Sequence, residues 1–256
     1  MRLAADNLLL DLQGVLYQEG EVFPDAPETL QRLRDAGLGL RFLTNTTTRT
    51  RSAIAERMAG MGFAVDVEEV ITPAVAARHV LEQAGLDRVH LAADAALAED
   101  LQGFELVEED PQAVILGDLQ EGFTFARLNG LFAMLDGGAR LIALHRNRVC
   151  IRDGAMGLDL GPFVAALEYA TGREATIVGK PSRAFFAMAL DALGAQAGNT
   201  VMVGDDIESD IAGAHGCGLK TVQVRTGKFR KGDEKAQVQP DCRIDGFADL
   251  PAALGL

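Results

Sequence analysis

Four short polar segments of the sequence each follow an apolar stretch and carry side chains typical of phosphate or metal chemistry. They are Asp11-Leu12-Gln13-Gly14, Thr44-Asn45, Gly179-Lys180-Pro181-Ser182 and Gly204-Asp205-Asp206. Ligands of open α/β sheets bind beyond the carboxyl ends of the parallel strands, so polar residues that follow several strands meet at one edge. The sequence therefore predicts a single site assembled from four distant segments.

Asp11 and Asp205 are the candidate ligands for a cation. A hard cation such as Mg²⁺ takes oxygen ligands and is often held by only one or two carboxylates together with water and substrate phosphate. A carboxylate can also attack phosphorus and form an aspartyl-phosphate. Asp11 is the better placed nucleophile, because it precedes a flexible turn at Gly14 whose backbone amides can face phosphate oxygens.

The remaining polar residues supply positive charge and hydrogen bonds. Lys180 is expected to neutralise both the nucleophile and a phosphate oxygen. The Thr44 hydroxyl and the Asn45 amide are expected to donate hydrogen bonds to the transferring group, since phosphoryl transfer is catalysed mainly by positioning and electrostatics. Asp206 and Asp210 are expected to hold Lys180 or metal-bound water from behind the ligands.

Each of these residues has a simpler interpretation when it is taken alone. An Asp that follows a strand commonly caps a turn or a helix. Thr44-Asn45 could belong to a string of N-cap candidates for the helix that contains Ile54. Asp205-Asp206 could begin a helix whose dipole favours acidic residues. Lys180-Pro181 could lie in an ordinary loop. Only the joint and ordered occurrence of the four segments favours a common site.

Short apolar runs alternate with amphipathic patterns near both ends of the chain, which is typical of βαβ units on a parallel sheet. There the predicted strands are residues 8–10, 38–43, 176–178, 200–203 and 220–224, and the predicted helices are 26–36, 51–61, 184–193 and 207–215. Between them lie predicted strands at 89–92, 113–116 and 141–144 and helices at 125–135 and 162–171. We therefore predict an α/β fold: a doubly wound parallel-sheet core of residues 1–73 and 178–256, with an inserted α/β domain at 74–177.

Composition and charge narrow the class of protein. Of the 256 residues, 48% are hydrophobic and 24% are charged, as in ordinary globular proteins. A formal charge of −13 argues against nucleic acid as a partner. The three cysteines, Cys150, Cys217 and Cys242, are widely spaced, so we expect neither a disulfide framework nor a zinc site, and a reducing, cytoplasmic location. No apolar run reaches about 18 residues, so no membrane segment is expected.

The four segments, extended to Gly204-Asp205-Asp206-x-x-x-Asp210, resemble in order the four motifs of haloacid dehalogenase superfamily phosphatases. The resemblance spans residues 8 to 228. The insert between the second and third motifs resembles the large α/β cap (type C2) of the subgroup that includes nitrophenyl-phosphatase-like enzymes, subfamily IIA. Residues 159–163, 178–182 and 224–230 resemble one branch of that subgroup, the phospholysine phosphohistidine inorganic pyrophosphate phosphatases and their near relatives.

This resemblance implies a Mg²⁺-dependent phosphatase that acts on a small phosphorylated substrate. It implies that Asp11 is the nucleophile and that Mg²⁺ is held by Asp11, the backbone carbonyl of Gln13 and Asp205. The substrate-binding residues it implies are Asp11, Leu12, Gln13, Thr44, Asn45 and Lys180. It assigns catalytic roles to Asp11, Lys180 and Asp206, with Asp206 and Asp210 supporting the metal site. Because relatives are often dimers, it also implies a homodimer formed through the cap.

Gln13 departs from the family pattern. Most family phosphatases carry a second Asp at this position, which protonates the leaving oxygen and then activates water. An amide side chain has no titratable proton, although the backbone carbonyl of Gln13 can still bind metal. General acid–base assistance contributes roughly 10² to 10⁴ in rate. We therefore expect substrates whose leaving group needs little protonation: a pyrophosphate, a phosphoramidate, an acyl phosphate or an aryl phosphate.

Two other classes of protein share part of this pattern. Gln13 also fits a phosphate- or metal-binding protein that kept the fold and lost efficient turnover. A receiver domain groups carboxylates and a lysine at strand ends as well, but its single short domain does not account for Asp205-Asp206 so late in the chain. The four histidines are scattered, and none is a candidate for catalysis.

Overall fold

The computed structural model describes residues 3–152 and 155–256, which form two compact units. The first unit contains the described residues up to Thr44 together with Ser52–Ile71 and Lys180–Leu256. The second contains Asn45–Arg51 and Thr72–Gly179. The first unit is thus drawn from both ends of the chain and the second from its middle. The assignment of the first unit as catalytic core and of the second as cap stays a prediction.

The strands are short and distributed along the whole chain. In chain order the structure describes β1 (Asn7–Asp11), β2 (Tyr17–Gln18), β3 (Glu21–Val22), β4 (Gly39–Leu43), β5 (Val70–Ile71), β6 (Arg88–Ala92), β7 (Glu105–Leu106), β8 (Ala113–Leu116), β9 (Arg140–Ala143), β10 (Val149–Arg152), β11 (Ala155–Leu158), β12 (Thr176–Ile177), β13 (Thr200–Gly204), β14 (Lys220–Val224) and β15 (Cys242–Ile244).

The helices alternate with these strands. In chain order they are α1 (Ala26–Asp35), α2 (Arg51–Gly60), α3 (Pro73–Ala84), α4 (Phe125–Asp136), α5 (Leu160–Thr171), α6 (Arg183–Leu193), α7 (Gly213–His215) and α8 (Leu250–Leu254). Within the described ranges, no helix combines the length and the apolar character that crossing a bilayer requires.

The first unit contains a parallel sheet in the strand order β15-β14-β13-β1-β4-β5. The order reverses beside β1, because the strands that precede the inserted segment extend to one side and those that follow it to the other. This is the doubly wound arrangement, and ligands of such sheets bind at the reversal point. Leu10 is in register with both Phe42 and Val203, so β1 ends level with its two neighbours.

The apolar runs of the sequence form the core of the first unit. The Leu8–Leu10 run of β1 is fully buried, as expected for a central parallel strand covered on both faces. In α1, the buried residues Ala26, Leu30 and Leu33 recur at helical spacing, so one face of that helix packs on the sheet. The α/β class and the doubly wound parallel sheet are therefore confirmed.

The predicted helix at 207–215 is present in a different form. It begins with a π-helix over Ile207–Ala212 and ends with the short turn α7. The amide of Ile211 donates to the carbonyl of Asp206 at 3.2 Å, one residue further back than in an α-helix. Such widened turns are found frequently at functional sites.

The second unit contains its own parallel sheet, in the order β12-β9-β8-β6-β7, and a separate antiparallel hairpin of β10 and β11. Helices α4 and α5 pack against each other in this unit. Its strands β6, β8 and β9 and helices α4 and α5 agree with the predicted elements. Helix α3, strand β7 and the hairpin were not predicted. The strand predicted at 176–178 together with the strands of the first sheet is present as β12, but it pairs with β9 in this second sheet.

Candidate active site

The site lies at the carboxyl edge of the first sheet, where polar residues follow the central strands. Asp11 is the last residue of β1 and is in register with Leu43, the last residue of β4. Asp205 directly follows β13, the other neighbour of β1. The strand order alone therefore brings Asp11, Thr44 and Asp205 to one edge beside the reversal point.

Lys180 is the cation of this group and is buried. Its Nζ atom donates a hydrogen bond of 2.7 Å to Asp11 Oδ1 and lies 2.7 Å from Asp210 Oδ1 in a second ion pair. A third contact, 3.5 Å long, reaches the carbonyl oxygen of Leu43. The side chain is only 3% exposed, so Lys180 is held between two carboxylates and away from bulk water.

Three carboxylates form a cluster that suits a divalent cation. Oxygen atoms of Asp11, Asp205 and Asp210 all lie within 4.8 Å of one another, and all three residues are buried. Asp205 Oδ1 is buried without a hydrogen-bond partner among the described residues, so this oxygen is available to a cation. An all-oxygen donor set of this kind fits Mg²⁺, which prefers hard ligands and retains water.

The clustered charges also shift the pKa values of the group. Burial, followed by the charges of Asp11 and Asp210, raises the pKa of Asp205 to about 8. Burial raises the pKa of Asp210 to about 6, although the charge of Lys180 opposes the shift. Burial acts to lower the pKa of Lys180, but the charges of Asp11 and Asp210 outweigh it and raise that pKa. The carboxylates repel one another and keep Lys180 protonated. A divalent cation bound among them would reduce this repulsion.

Three glycines allow the backbone to approach these carboxylates. Gly14 and Gly227 both have positive φ, and a Cβ on either would collide with the carboxylate of Asp205. A Cβ on Gly204 would collide with the side chain of Asp210. Side chains at these positions would occupy the space beside the acidic cluster, so glycine is required there for steric reasons.

Asp206 has different hydrogen-bond partners from Asp205. Its Oδ1 accepts hydrogen bonds from the amides of Glu208 and Ser209 and so caps the π-helix, as the simpler interpretation of this residue predicted. Its Oδ2 lies 3.2 Å from Lys228 Nζ. Burial acts to raise the pKa of Asp206, but Lys228 and the two amides outweigh it and lower that pKa. The structure thus pairs Asp206 with Lys228, while Asp210 contacts Lys180.

The other predicted site residues lie on the flanking segments. Thr44 is buried directly after β4, and its amide donates to Ile71 at 3.2 Å. Leu12 is buried, whereas the side chain of Gln13 is exposed. Asn45 belongs to the second unit. The structure therefore brings together Asp11, Lys180, Asp205 and Asp210, and places Leu12, Gln13 and Thr44 on the adjoining turns of the same unit.

The loop that follows β14 also reaches the site, although no site role is predicted for it from the sequence. In the structure, the backbone amide of Lys228 donates to Asp205 Oδ2 at 2.7 Å. The Thr226 hydroxyl donates to the carbonyl of Gly14. A usable signal was present, because a Thr-Gly pair begins two residues after another strand of the predicted sheet and so falls at the same edge.

Comparison with known proteins shows which family shares this arrangement. A family model described as haloacid dehalogenase-like hydrolase matches residues 8–106, and a second, HAD-hydrolase-like model matches residues 177–250. The chain is 41% identical over 91% of its length to haloacid dehalogenase-like hydrolase domain-containing protein 2 of Bos taurus, covering 89% of that protein. It is 40% identical over 94% of its length to phospholysine phosphohistidine inorganic pyrophosphate phosphatase of Xenopus laevis, covering 90% of it.

Solved structures share the fold over nearly the whole chain. The p-nitrophenyl phosphatase from Archaeoglobus fulgidus superposes with a TM-score of 0.92 at 26% identity, covering 98% of this chain and 100% of that one. NagD from E. coli K-12 gives a TM-score of 0.87 at 27% identity, covering 96% and 98%. The chain therefore belongs to the haloacid dehalogenase-like hydrolase family and is a phosphatase within it.

Proposed function

We propose that this phosphatase depends on Mg²⁺ and that Asp11 attacks the phosphorus of a small phosphorylated substrate to form an aspartyl-phosphate. The observation that carries the proposal is the buried cluster of Asp11, Asp205 and Asp210, with oxygens within 4.8 Å of one another and the Lys180 ammonium 2.7 Å from Asp11. A nucleophilic carboxylate, a cation and a fixed lysine are what phosphoryl transfer requires for positioning and charge stabilisation.

The proposed reaction has two steps. An oxygen of Asp11 forms a bond to phosphorus while the bond from phosphorus to the leaving group breaks, and the leaving group departs with the electron pair. Water then attacks the phosphorus of the aspartyl-phosphate, which releases phosphate and regenerates the Asp11 carboxylate. Lys180 orients Asp11 and adds positive charge beside the transferring group, and Asp210 holds Lys180.

Mg²⁺ would be held by Asp11, Asp205 and the backbone carbonyl of Gln13, and would neutralise charge on the phosphoryl oxygens. Thr44 and Asn45 are proposed to donate hydrogen bonds to that group. Because Asp206 pairs with Lys228, we propose that Asp206 acts by holding this lysine at the edge of the acidic cluster.

We propose that the substrate carries an activated leaving group. Gln13 has no titratable proton to give to a departing oxygen. A leaving group that is stable without that proton does not need the missing general acid. Pyrophosphate, phosphoramidates, acyl phosphates and aryl phosphates carry leaving groups of this kind. The names of relatives that act on pyrophosphate and on p-nitrophenyl phosphate support the same class.

A substrate panel with Mg²⁺ tests this function. Phosphate release from pyrophosphate, phosphoramidate, acetyl phosphate and p-nitrophenyl phosphate is compared with release from hexose phosphates. We expect kcat/KM for the best activated substrate to exceed that for hexose phosphates by at least about 10²-fold. Equal or faster turnover of hexose phosphates contradicts the proposed substrate class. An Asp11→Asn variant that retains wild-type activity contradicts the proposed nucleophile.

Gln13→Asp tests the explanation of that preference. The new carboxyl group would restore an acid and base beside Asp11, so turnover of hexose phosphates is expected to rise by about 10²-fold or more. Gln18→Asp is the matched control, because Gln18 is an exposed glutamine of the same segment. If both variants turn over hexose phosphates at the wild-type rate, the missing acid is not what limits the enzyme.

We further propose that the second unit is the cap that selects the substrate, supported by its insertion between the segments that carry Thr44 and Lys180. We also propose that the protein forms a homodimer through this unit and that it is cytoplasmic. Light scattering of the purified protein, alone and with the second unit altered on its surface, tests the dimer.

A further inference from the structure

The loop that follows β14 fixes one oxygen of Asp205. The backbone amide of Lys228 donates to Asp205 Oδ2 at 2.7 Å, and Asp205 Oδ1 is buried without a hydrogen-bond partner among the described residues. The two oxygens of this carboxylate therefore differ: the loop holds Oδ2, and Oδ1 is left to a cation. The direction in which Oδ1 points depends on the position of the loop.

The same loop is attached to the turn that follows the nucleophile. The Thr226 hydroxyl donates to the carbonyl oxygen of Gly14, a residue that lies 212 positions earlier in the chain. The two backbones are in close approach here, since a Cβ on Gly227 would lie 2.6 Å from the Cα of Gly14. Thr226 thus connects the turn after Asp11 to the amide that holds Asp205.

We propose that Thr226 is a positioning residue for the cation: its hydroxyl bond to Gly14 sets the separation between the turn after Asp11 and the Lys228 amide, and thereby aims Asp205 Oδ1 at the ion. The proposal rests on the proposed Mg²⁺ dependence and assigns a role to a residue outside the ligand set. Groups that orient metal ligands without touching the metal typically change metal affinity by about 10–100-fold when removed.

Three variants separate this role from a purely structural one. Thr226→Val removes the hydroxyl and keeps the branched shape of the side chain, whereas Thr226→Ser keeps the hydroxyl. Thr200→Val is the matched control, because the Thr200 hydroxyl also donates to a backbone carbonyl, that of Gln196, at 2.8 Å. Thr200 begins β13, and Asp205 follows the other end of the same strand.

The experiment measures the dissociation constant of Mg²⁺ by titration calorimetry, well below the unfolding temperature of each variant. We expect Thr226→Val to weaken Mg²⁺ binding by about 10–100-fold, while Thr226→Ser and Thr200→Val stay close to the wild-type value. Thermal unfolding of the cation-free proteins is recorded in parallel, since a purely structural role would lower stability in both valine variants without changing the dissociation constant. If Thr226→Val does not fold, Thr226→Ala is measured in the same way.

The outcomes are distinct for the two proposals. Wild-type protein that does not bind Mg²⁺ overturns the proposed metal dependence and this inference together. Wild-type protein that binds Mg²⁺, with Thr226→Val binding it equally well, overturns the positioning role alone. Weakened binding in Thr200→Val as well as Thr226→Val also overturns it, because the effect would then follow from the loss of any threonine hydroxyl that donates to a backbone carbonyl.

Discussion

At the scale of single residues, the site is an electrostatic balance between three buried acids and one buried lysine. Asp11 and Asp210 each lie 2.7 Å from Lys180 Nζ. Asp205 Oδ1 has no hydrogen-bond partner within the part of the chain that the structure describes. A buried charge is tolerated only when it is paired, and removal of one partner leaves the other uncompensated. The lysine therefore stabilises the fold as well as the proposed chemistry.

Lys180→Met is predicted to destabilise the cation-free protein by about 3–5 kcal/mol, because it leaves Asp11 and Asp210 buried without their counter-charge. Urea unfolding measures this loss, and added Mg²⁺ is expected to recover part of it. Arg225→Met is the control, since Arg225 and Asp245 form an exposed pair with side chains 42% and 83% exposed. Such a pair contributes about 1 kcal/mol or less. Equal losses in the two variants contradict the assigned role of Lys180.

At the scale of elements, the strand order and two glycine contacts assemble the cluster. β1 and β13 place Asp11 and Asp205 at one edge of the sheet. The loop after β14 contacts this edge through the Lys228 amide, which donates to Asp205. Gly227 has φ of +59°, and a Cβ there would meet both Asp205 and Gly14. The loop reaches Asp205 only because this position lacks a side chain.

Gly227→Ala is predicted to displace the loop, at a cost of about 1–3 kcal/mol for the left-handed backbone, and to weaken Mg²⁺ binding. Gly232→Ala is the matched control in the same segment, because a Cβ at Gly232 meets no atom within 4 Å. Unfolding and Mg²⁺ titration of both variants test the prediction. A Gly227→Ala protein with wild-type affinity would show that the loop contact with Asp205 is dispensable.

The sequence predicted those parts of this arrangement that follow from local pattern. Apolar runs marked the central strands, and the rule that ligands meet strand ends brought Asp11 and Asp205 to one site. The same rule did not explain the place of Lys180, because the strand predicted before it, β12, pairs with β9 in the second unit. Helix α3 was overlooked although its start carries clear signals: Thr72 caps it by accepting from the amide of Val75, and Pro73 occupies its first position.

Other features depend on contacts between distant segments and leave little local trace. The sequence around Asp205-Asp206 does not show that the second carboxylate also pairs with Lys228, which lies 22 residues later. The approach of Gly227 to Gly14 joins residues separated by most of the chain. Hairpin β10–β11 was missed because it is an antiparallel pair, which lies outside the strand–helix alternation from which the other strands of this unit were predicted.

At the scale of the whole molecule, the acidic cluster links stability to pH and to the cation. In the cation-free fold, burial and neighbouring charge raise the pKa of Asp205 to about 8 and that of Asp210 to about 6, above the ordinary value of 3.8. The folded state then binds more protons than the unfolded state at intermediate pH. Stability contributed by these groups is present at low pH and is lost as pH rises through their folded pKa values.

Unfolding temperatures in EDTA are therefore predicted to fall between about pH 5 and pH 8. Mg²⁺ is predicted to stabilise the protein more at pH 8 than at pH 6, and to release close to one proton from Asp205 on binding near pH 7. Calorimetry in two buffers of different ionisation enthalpy counts that proton. Asp205→Asn should flatten the pH dependence in EDTA. Binding of Mg²⁺ at pH 7 without proton release contradicts the assigned protonation of Asp205.

The proposed mechanism requires that Asp11 itself receives the phosphoryl group, and capture of this group on the protein tests that step. Wild-type enzyme is mixed with Mg²⁺ and pyrophosphate or p-nitrophenyl phosphate, quenched in acid within the first turnover, and digested for mass spectrometry. We predict one phosphoryl group on the peptide that contains Asp11, and none in Asp11→Asn. A phosphoryl group on a different residue, or turnover by Asp11→Asn at the wild-type rate, would contradict the assignment of Asp11 as the nucleophile.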